Sequence, residues 1–256
     1  MDFQGAGAPA TREGILTVLD TLNIKLPQLL AVVTVETSGC GCFADRRPTI
    51  LFERHIFSKQ TGGKFDAKHP GISNRIPGGY SNGAAEYNRL ANAVQLDRAA
   101  ALKSASWGLG QVMGFNFNSA GYDSVETMVQ KNMQSEDEQL LAMAKFLKAS
   151  SLDRPLAAQD WTSFARGYNG PSFARNLYDS KLAAAFQRYQ HPPLPDIMVR
   201  TAQMLLSYAG FNPGGIDGLI GKLTRAAAQG FREAHAMGTS DEIDDELLDA
   251  LRAAVV

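Results

Sequence analysis

The sequence predicts a mainly α-helical chain with one short β element, followed by a small C-terminal three-helix bundle. Three observations carry this. Apolar residues recur at helical spacing in most segments, as in Ile15, Leu16, Val18, Leu19 and Leu22. One short run, Ile50-Leu51-Phe52, reads as a strand that passes into a helix or turn at Glu53. The stretch HPPLPD, His191 to Asp196, holds three prolines in six residues, and no helix continues through that. It reads as a stiff linker between a domain of residues 1–190 and one of residues 197–256.

The elements follow in order. Thr11 to Leu22 has an apolar helical face. The next helix opens near Pro27, which suits a first turn, and closes before Gly39, which suits a position just past the end. Leu29 to Val35 is almost wholly apolar and too short to cross a membrane, so this is a buried core helix. Glu36 then falls in its last turn. Apolar neighbours and the negative end of the helix dipole both disfavour a charged carboxylate there. Both raise the pKa, as a carboxylic acid needs to donate a proton near neutrality. The alternative is a solvated glutamate without a role.

Thr61 to Gly83, rich in Gly, Pro, Asn and Lys, reads as a long surface loop able to form a binding surface. Ala84 to Leu96 and Asp97 to Ala105 read as helices. SWGLGQVMG follows, Ser106 to Gly114, with glycines interrupting apolar residues. Further helices are expected over Ser124–Met133, Ser135–Ala149 with Ser135 and Glu138 as a capping box, Asp160–Tyr168 and Ser172–Tyr189. Past the linker come Ile197–Gly210, Leu223–Met237 and Asp241–Ala253, the last with Thr239 and Glu242 as a capping box. A unit of roughly 60 residues holds only a small core. It carries no catalytic constellation and reads as a binding module.

Composition excludes several classes. With 45% hydrophobic and 20% charged residues the 256-residue chain is ordinary globular material, and a net charge of −1 argues against a nucleic-acid binder. Cys40 and Cys42 are spaced poorly for a disulfide and incompletely for zinc, so they read as two free thiols in a reducing compartment. His55 and His69 lack a third ligand at metal spacing, and no metal or cofactor is expected. The N-terminus shows no secretory signal and no transmembrane helix, so action outside the cytoplasm would depend on another factor.

Three separated motifs point to a family. ETSG holds Glu36, WGLGQVMG holds Gln111 and Met113, and ARGYNGP holds Tyr168 and Asn169. In that order they resemble the lysozyme-like superfamily, especially goose-type lysozymes and soluble lytic transglycosylases. VETSG, ILFERHIF, GGYSNGAAEYNRL, SASWGLGQVMG and DWTSFARGYNGP together resemble the N-acetylmuramidase domain of phage endolysins against Gram-negative hosts. The second domain resembles the three-helix peptidoglycan-binding domain through Gln203, Leu205, Leu206, Gly210, Ile216-Asp217-Gly218, Gly221, Thr224 and Phe231. In many such endolysins the binding module comes first; here it follows.

The resemblance implies a lysozyme-like α+β catalytic domain that cleaves the β-1,4 bond between N-acetylmuramic acid and N-acetylglucosamine in peptidoglycan. It implies a monomer made in the host cytoplasm, without stable membrane association, that reaches periplasmic peptidoglycan through a separate holin. Glu36 is the expected acid. Glu53 is either a water-activating base or electrostatic stabiliser, or a structural partner of Arg54, Arg46 or another cation. Substrate contacts are expected from Ser38, Tyr80, Gln111, Met113, Tyr168 and Asn169, and wall contacts from Gln203, Asp217 and Thr224. Ser38 otherwise caps a turn, Gln111 otherwise holds backbone beneath the cleft, and Trp107 is either a sugar platform or core. Two other readings are a lytic transglycosylase on the same bond and a non-catalytic wall-binding or virion structural protein.

Overall fold

The computed structural model describes residues 3–37, 39–170 and 173–255. Ser38, expected at the substrate, lies outside them. Two hydrophobic cores organise the chain. The larger draws on residues from Phe3 to Leu182 and the smaller on residues from Ala202 to Leu251.

The larger body opens with α1 (Arg12–Leu22), whose N-cap Thr11 accepts a hydrogen bond from the Gly14 amide. α2 (Leu26–Thr37) follows, with Leu29, Ala31, Val32 and Val33 buried. Pro27 sits in its first turn and Glu36 in its last, as the sequence predicts. Next come β1 (Ile50–Phe52), α3 (Arg54–Gln60), α4 (Glu86–Leu96), α5 (Arg98–Lys103), β2 (Ala105–Trp107) and β3 (Val112–Met113). The three strands form one antiparallel sheet in the order β1-β2-β3, with Ile50 opposite Trp107 and Ser106 opposite Met113. The glycine-rich SWGLGQVMG is therefore a hairpin, turned by Gly108 at φ +67° and Gln111 at φ +48°. Trp107 is a core residue, 1% exposed, with its indole N–H donated to the Leu102 carbonyl at 3.1 Å.

α6 (Val125–Asn132), α7 (Glu136–Ala149), α8 (Asp153–Ala157), α9 (Trp161–Tyr168) and α10 (Tyr178–Arg188) complete the body. Ser135 caps α7 by accepting from the Glu138 amide. α10 lies along α2, tied by a 2.8 Å bond between Thr34 Oγ1 and the Tyr189 hydroxyl. One expected helix is corrected. The segment after Pro171 is a 3₁₀ turn, Phe173–Asn176, broken at Leu177 with φ +54°, and α10 starts only at Tyr178. A left-handed leucine ends one helical run and re-aims the next.

The bundle consists of α11 (Ile197–Tyr208), α12 (Lys222–Ala234) and α13 (Asp245–Ala254), packed around Leu206, Phe231 and Leu247. The capping box expected at Thr239 and Glu242 does not form. Asp244 caps α13 instead, accepting from the Leu247 amide at 2.8 Å.

A buried ion pair fixes β1 to α4. Glu86 is fully buried and takes Arg89 Nη1 at 2.8 Å, the Phe52 amide at 3.2 Å and the Ser81 amide. Arg89 also donates to the Phe52 carbonyl at 2.9 Å. This clamp holds the strand end that carries Glu53 and the loop that carries Tyr80. Arg89→Met leaves the carboxylate buried without its cation, and is expected to lose roughly 3–5 kcal/mol of unfolding free energy in urea titration. Native stability in that variant would show the clamp to be dispensable.

Candidate active site

Two carboxylates stand at the ends of two different elements. Glu36 is placed by α2. The helix is apolar because it runs through the core, so its last turn delivers the carboxyl into a dry setting. Burial pushes its pKa up to about 7, offset in part by the hydrogen bond from Asn169. That bond runs from Asn169 Nδ2 to Glu36 Oε1 at 2.9 Å. Among the described residues, the buried Asn169 Oδ1 atom has no hydrogen-bond partner, leaving an acceptor beside the acid.

Asn169 owes its position to the end of α9, where its own amide bonds the Ala165 carbonyl at 2.9 Å. Tyr168, one residue earlier, stacks on Phe164 with ring centroids 5.3 Å apart and donates its hydroxyl to the Gly110 carbonyl. Burial, then the Glu36 charge, holds its phenol well above the ordinary range, so it stays a neutral donor. The hydroxyl expected to touch sugar thus ties α9 to the hairpin tip.

Glu53 stands where β1 passes into α3. Its amide bonds the Ser104 carbonyl at 2.9 Å, which orders the strand end. The Tyr80 hydroxyl reaches both of its oxygens, at 3.0 and 3.1 Å, and His55 Nδ1 lies 3.1 Å from Oε2. The pairing with Arg54 or Arg46 does not occur. Arg54 is spent on the Ile76 and Pro77 carbonyls, and Arg46 on the Val255 carbonyl. The Glu53 side chain keeps 16% of its surface exposed, so one edge still faces solvent.

Gln111 is engaged within the hairpin. Its amide donates to the Thr49 carbonyl at 3.1 Å and the Gly108 carbonyl at 2.8 Å, and accepts from Ser106 Oγ at 2.6 Å. With every polar atom engaged, it braces the hairpin. Met113 is half-buried at the end of β3, opposite Ser106. In the bundle, Gln203 and Thr224 are 1% and 2% exposed. The Gln203 amide spans Asp217 Oδ1, the Leu219 carbonyl and Thr224 Oγ1, and accepts from the Asp217 and Gly218 amides. Gln203 and Thr224 were expected to meet the wall; they shape the 213–224 loop from inside. Asp217 is the exposed member of the three.

Tyr178 is the residue sequence reasoning missed. As the first residue of α10 it feels both carboxylates: burial, then Glu36, then Glu53 raise its phenol above the ordinary value. The signal was hidden because the run from 172 to 189 reads as one continuous helix, which puts Tyr178 mid-helix. Among the described residues, no group of three His, Cys, Asp or Glu side chains is placed to hold a metal ion. Cys40 and Cys42 are free thiols, as expected.

A family model described as N-acetylmuramidase matches residues 25–190. Among solved structures, the crystal structure of the Burkholderia AP3 phage endolysin is similar, at 42% identity over 70% of this chain and 70% of that one, with a TM-score of 0.64. No curated protein matches the chain. The matched region holds Glu36, Glu53, Tyr80, Asn169 and Tyr178 in one lysozyme-like body, and the chain belongs to the N-acetylmuramidase family of glycoside hydrolases.

Proposed function

We propose that this chain is an endolysin that hydrolyses the β-1,4 bond between N-acetylmuramic acid and N-acetylglucosamine in bacterial peptidoglycan, with Glu36 as general acid. The observation that carries the reading is a carboxyl at the end of a buried helix, hydrogen-bonded by Asn169 at 2.9 Å, whose pKa burial raises to about 7. Protonating the glycosidic oxygen makes the sugar a leaving group and builds positive charge at the anomeric carbon. Asn169 orients Glu36, and its unpartnered Oδ1 is an acceptor for a substrate N–H or a water. Glu53, exposed at one edge and braced by Tyr80, is the base that activates water on the opposite sugar face. Paired carboxylates about 6.5–9.5 Å apart leave room for that water and invert the anomeric configuration. Tyr178 and Tyr80 supply flat, hydroxylated surfaces for the sugar rings.

The bundle is the wall-binding module in this reading. A shallow pocket of about 210 Å³, lined by Gly214, Gly215, Asp217, Lys222 and Leu223, opens beside the Gln203 network. Ile220 and Leu223 stand exposed near it. Among the described residues, no single helix is long and apolar enough to cross a membrane. In this reading the protein is a monomer released to the periplasmic wall by a separate holin.

Glu36→Gln is expected to fold normally and lose about 10²- to 10⁴-fold in turnover, the share a positioned acid supplies. Turbidity loss of purified peptidoglycan reads it, and near-native activity would move the acid elsewhere. The pH dependence has a definite sign. The folded carboxyl keeps its proton to about 7, while the unfolded chain releases it near 4.5. Folding therefore binds a proton in that window, and stability falls as pH rises through it, then levels off. Activity falls as pH rises past about 7. Urea titrations of Glu36→Gln are expected to lack this fall.

Glu53→Gln is expected to lose turnover without shifting the alkaline limb set by Glu36, and to lose less than Glu36→Gln does. An unchanged rate would return Glu53 to a structural role. Mass spectrometry of the digest is expected to show reducible muramic ends. Products lighter by one water, with 1,6-anhydro ends, would make the enzyme a lytic transglycosylase. In the inactive Glu36→Gln background, Leu223→Ala is expected to release the full chain from sedimenting peptidoglycan, and unchanged sedimentation would place the wall contact off this pocket.

A further inference from the structure

The C-terminal bundle reaches the loop that follows Glu36 through the Arg200 guanidinium. Glu136, the first residue of α7, is fully buried. Its Oε1 accepts from the Gly41 amide at 2.9 Å, and its Oε2 from the Ala10 amide at 3.0 Å. The charge is matched from α11: Arg200 donates Nη1 to Oε2 at 2.6 Å and Nη2 to Oε1 at 2.7 Å. The same Nη2 donates to the Gly39 carbonyl at 2.6 Å. Gly39 stands three residues after Glu36, at φ +89°, with its amide closing α2 on the Val33 carbonyl at 3.3 Å. A Cβ there would lie 3.1 Å from the Ile216 carbonyl oxygen of the bundle. The Gly41 carbonyl in turn accepts from the Thr49 amide at 2.8 Å, one residue before β1 and four before Glu53.

We propose that Arg200 is a positioning residue for catalysis: it locks the loop from Gly39 to Gly41, and through it the orientation of Glu36, so that the bundle completes the active site as well as holding wall. The proposal rests on Glu36 being the acid. It runs against the independence that the proline-rich linker suggests. Other ties also seat the bundle on the body: the Tyr208 hydroxyl donates to the Gly7 carbonyl at 2.8 Å, and Arg46 Nη1 to the Val255 carbonyl at 2.8 Å. Arg200 differs from both in bonding the Gly39 carbonyl, three residues after the acid.

The test uses the full chain and soluble, uncrosslinked glycan strands, on which wall binding gives no advantage. Arg200→Gln is expected to lower kcat by about 10²-fold with KM nearly unchanged, the effect of a reacting group displaced by about an ångström. Arg200→Lys keeps the charge on Glu136 but not the fork, and is expected to recover part of kcat. It also serves as the reporter if Arg200→Gln fails to fold. The proposal is overturned if either Arg200 variant, folded by circular dichroism, turns over at the wild-type rate, or if kcat merely follows the folded fraction. An active Glu36→Gln would remove the acid assignment instead, so the two failures are distinguishable.

Discussion

The constraint on which this structure depends is the desolvation of one carboxyl. An acid that works near neutrality must resist ionisation, and water is what makes ionisation cheap. The chain keeps water from Glu36 by making the helix that carries it part of the core. Leu29, Val32 and Val33 are buried in the core, and α10 packs along the helix. The cost falls on stability, because a raised pKa is a preference for a proton that the unfolded chain does not share. Asn169 moderates this by donating to the charged form, so the carboxyl stays within reach of both states during a catalytic cycle.

The second carboxylate obeys a different rule. Glu53 sits at a strand end rather than in a helix core, and its neighbours are a phenol and an imidazole rather than leucines. In the proposed mechanism, one acid in a dry pocket and one carboxylate in a polar, partly wet setting is the division of labour that separates proton donor from base. The Glu86–Arg89 clamp makes that division durable. It binds the amide and carbonyl of Phe52, directly before Glu53, and the Ser81 amide, directly after Tyr80.

What was legible in the sequence follows the range of the interaction. Pro27, the apolar run and Gly39 frame α2 within a dozen residues, so Glu36 stood out before any coordinates existed. Ile50-Leu51-Phe52 and the Ser135 cap are equally local. The roles of Gln111 and Tyr168 were not separable, because bracing a hairpin and touching a sugar demand the same polar side chains. The structure shows where their donors are spent. Tyr178 stayed hidden because one left-handed residue, Leu177, breaks a pattern that reads as continuous. The Glu136–Arg200 pair spans 64 positions, and nothing in either local sequence names the other.

That pair also explains why a proline-rich linker need not separate two working parts. Linker composition sets how two domains are joined, not whether their surfaces meet. Here they meet around a buried charge, and a buried ion pair is weak grounds for stability, since apolar residues of similar size usually do as well. Its distinctive property is direction. A guanidinium is a rigid planar fork, and this one satisfies two carboxylate oxygens and a backbone carbonyl at 2.6 to 2.7 Å. A hydrophobic contact at the same place would keep the bundle attached yet leave the Gly39 carbonyl free to turn. Choosing a fork where grease would hold as well makes sense when the thing being fixed is an orientation, and the orientation in question is that of the chain leaving Glu36.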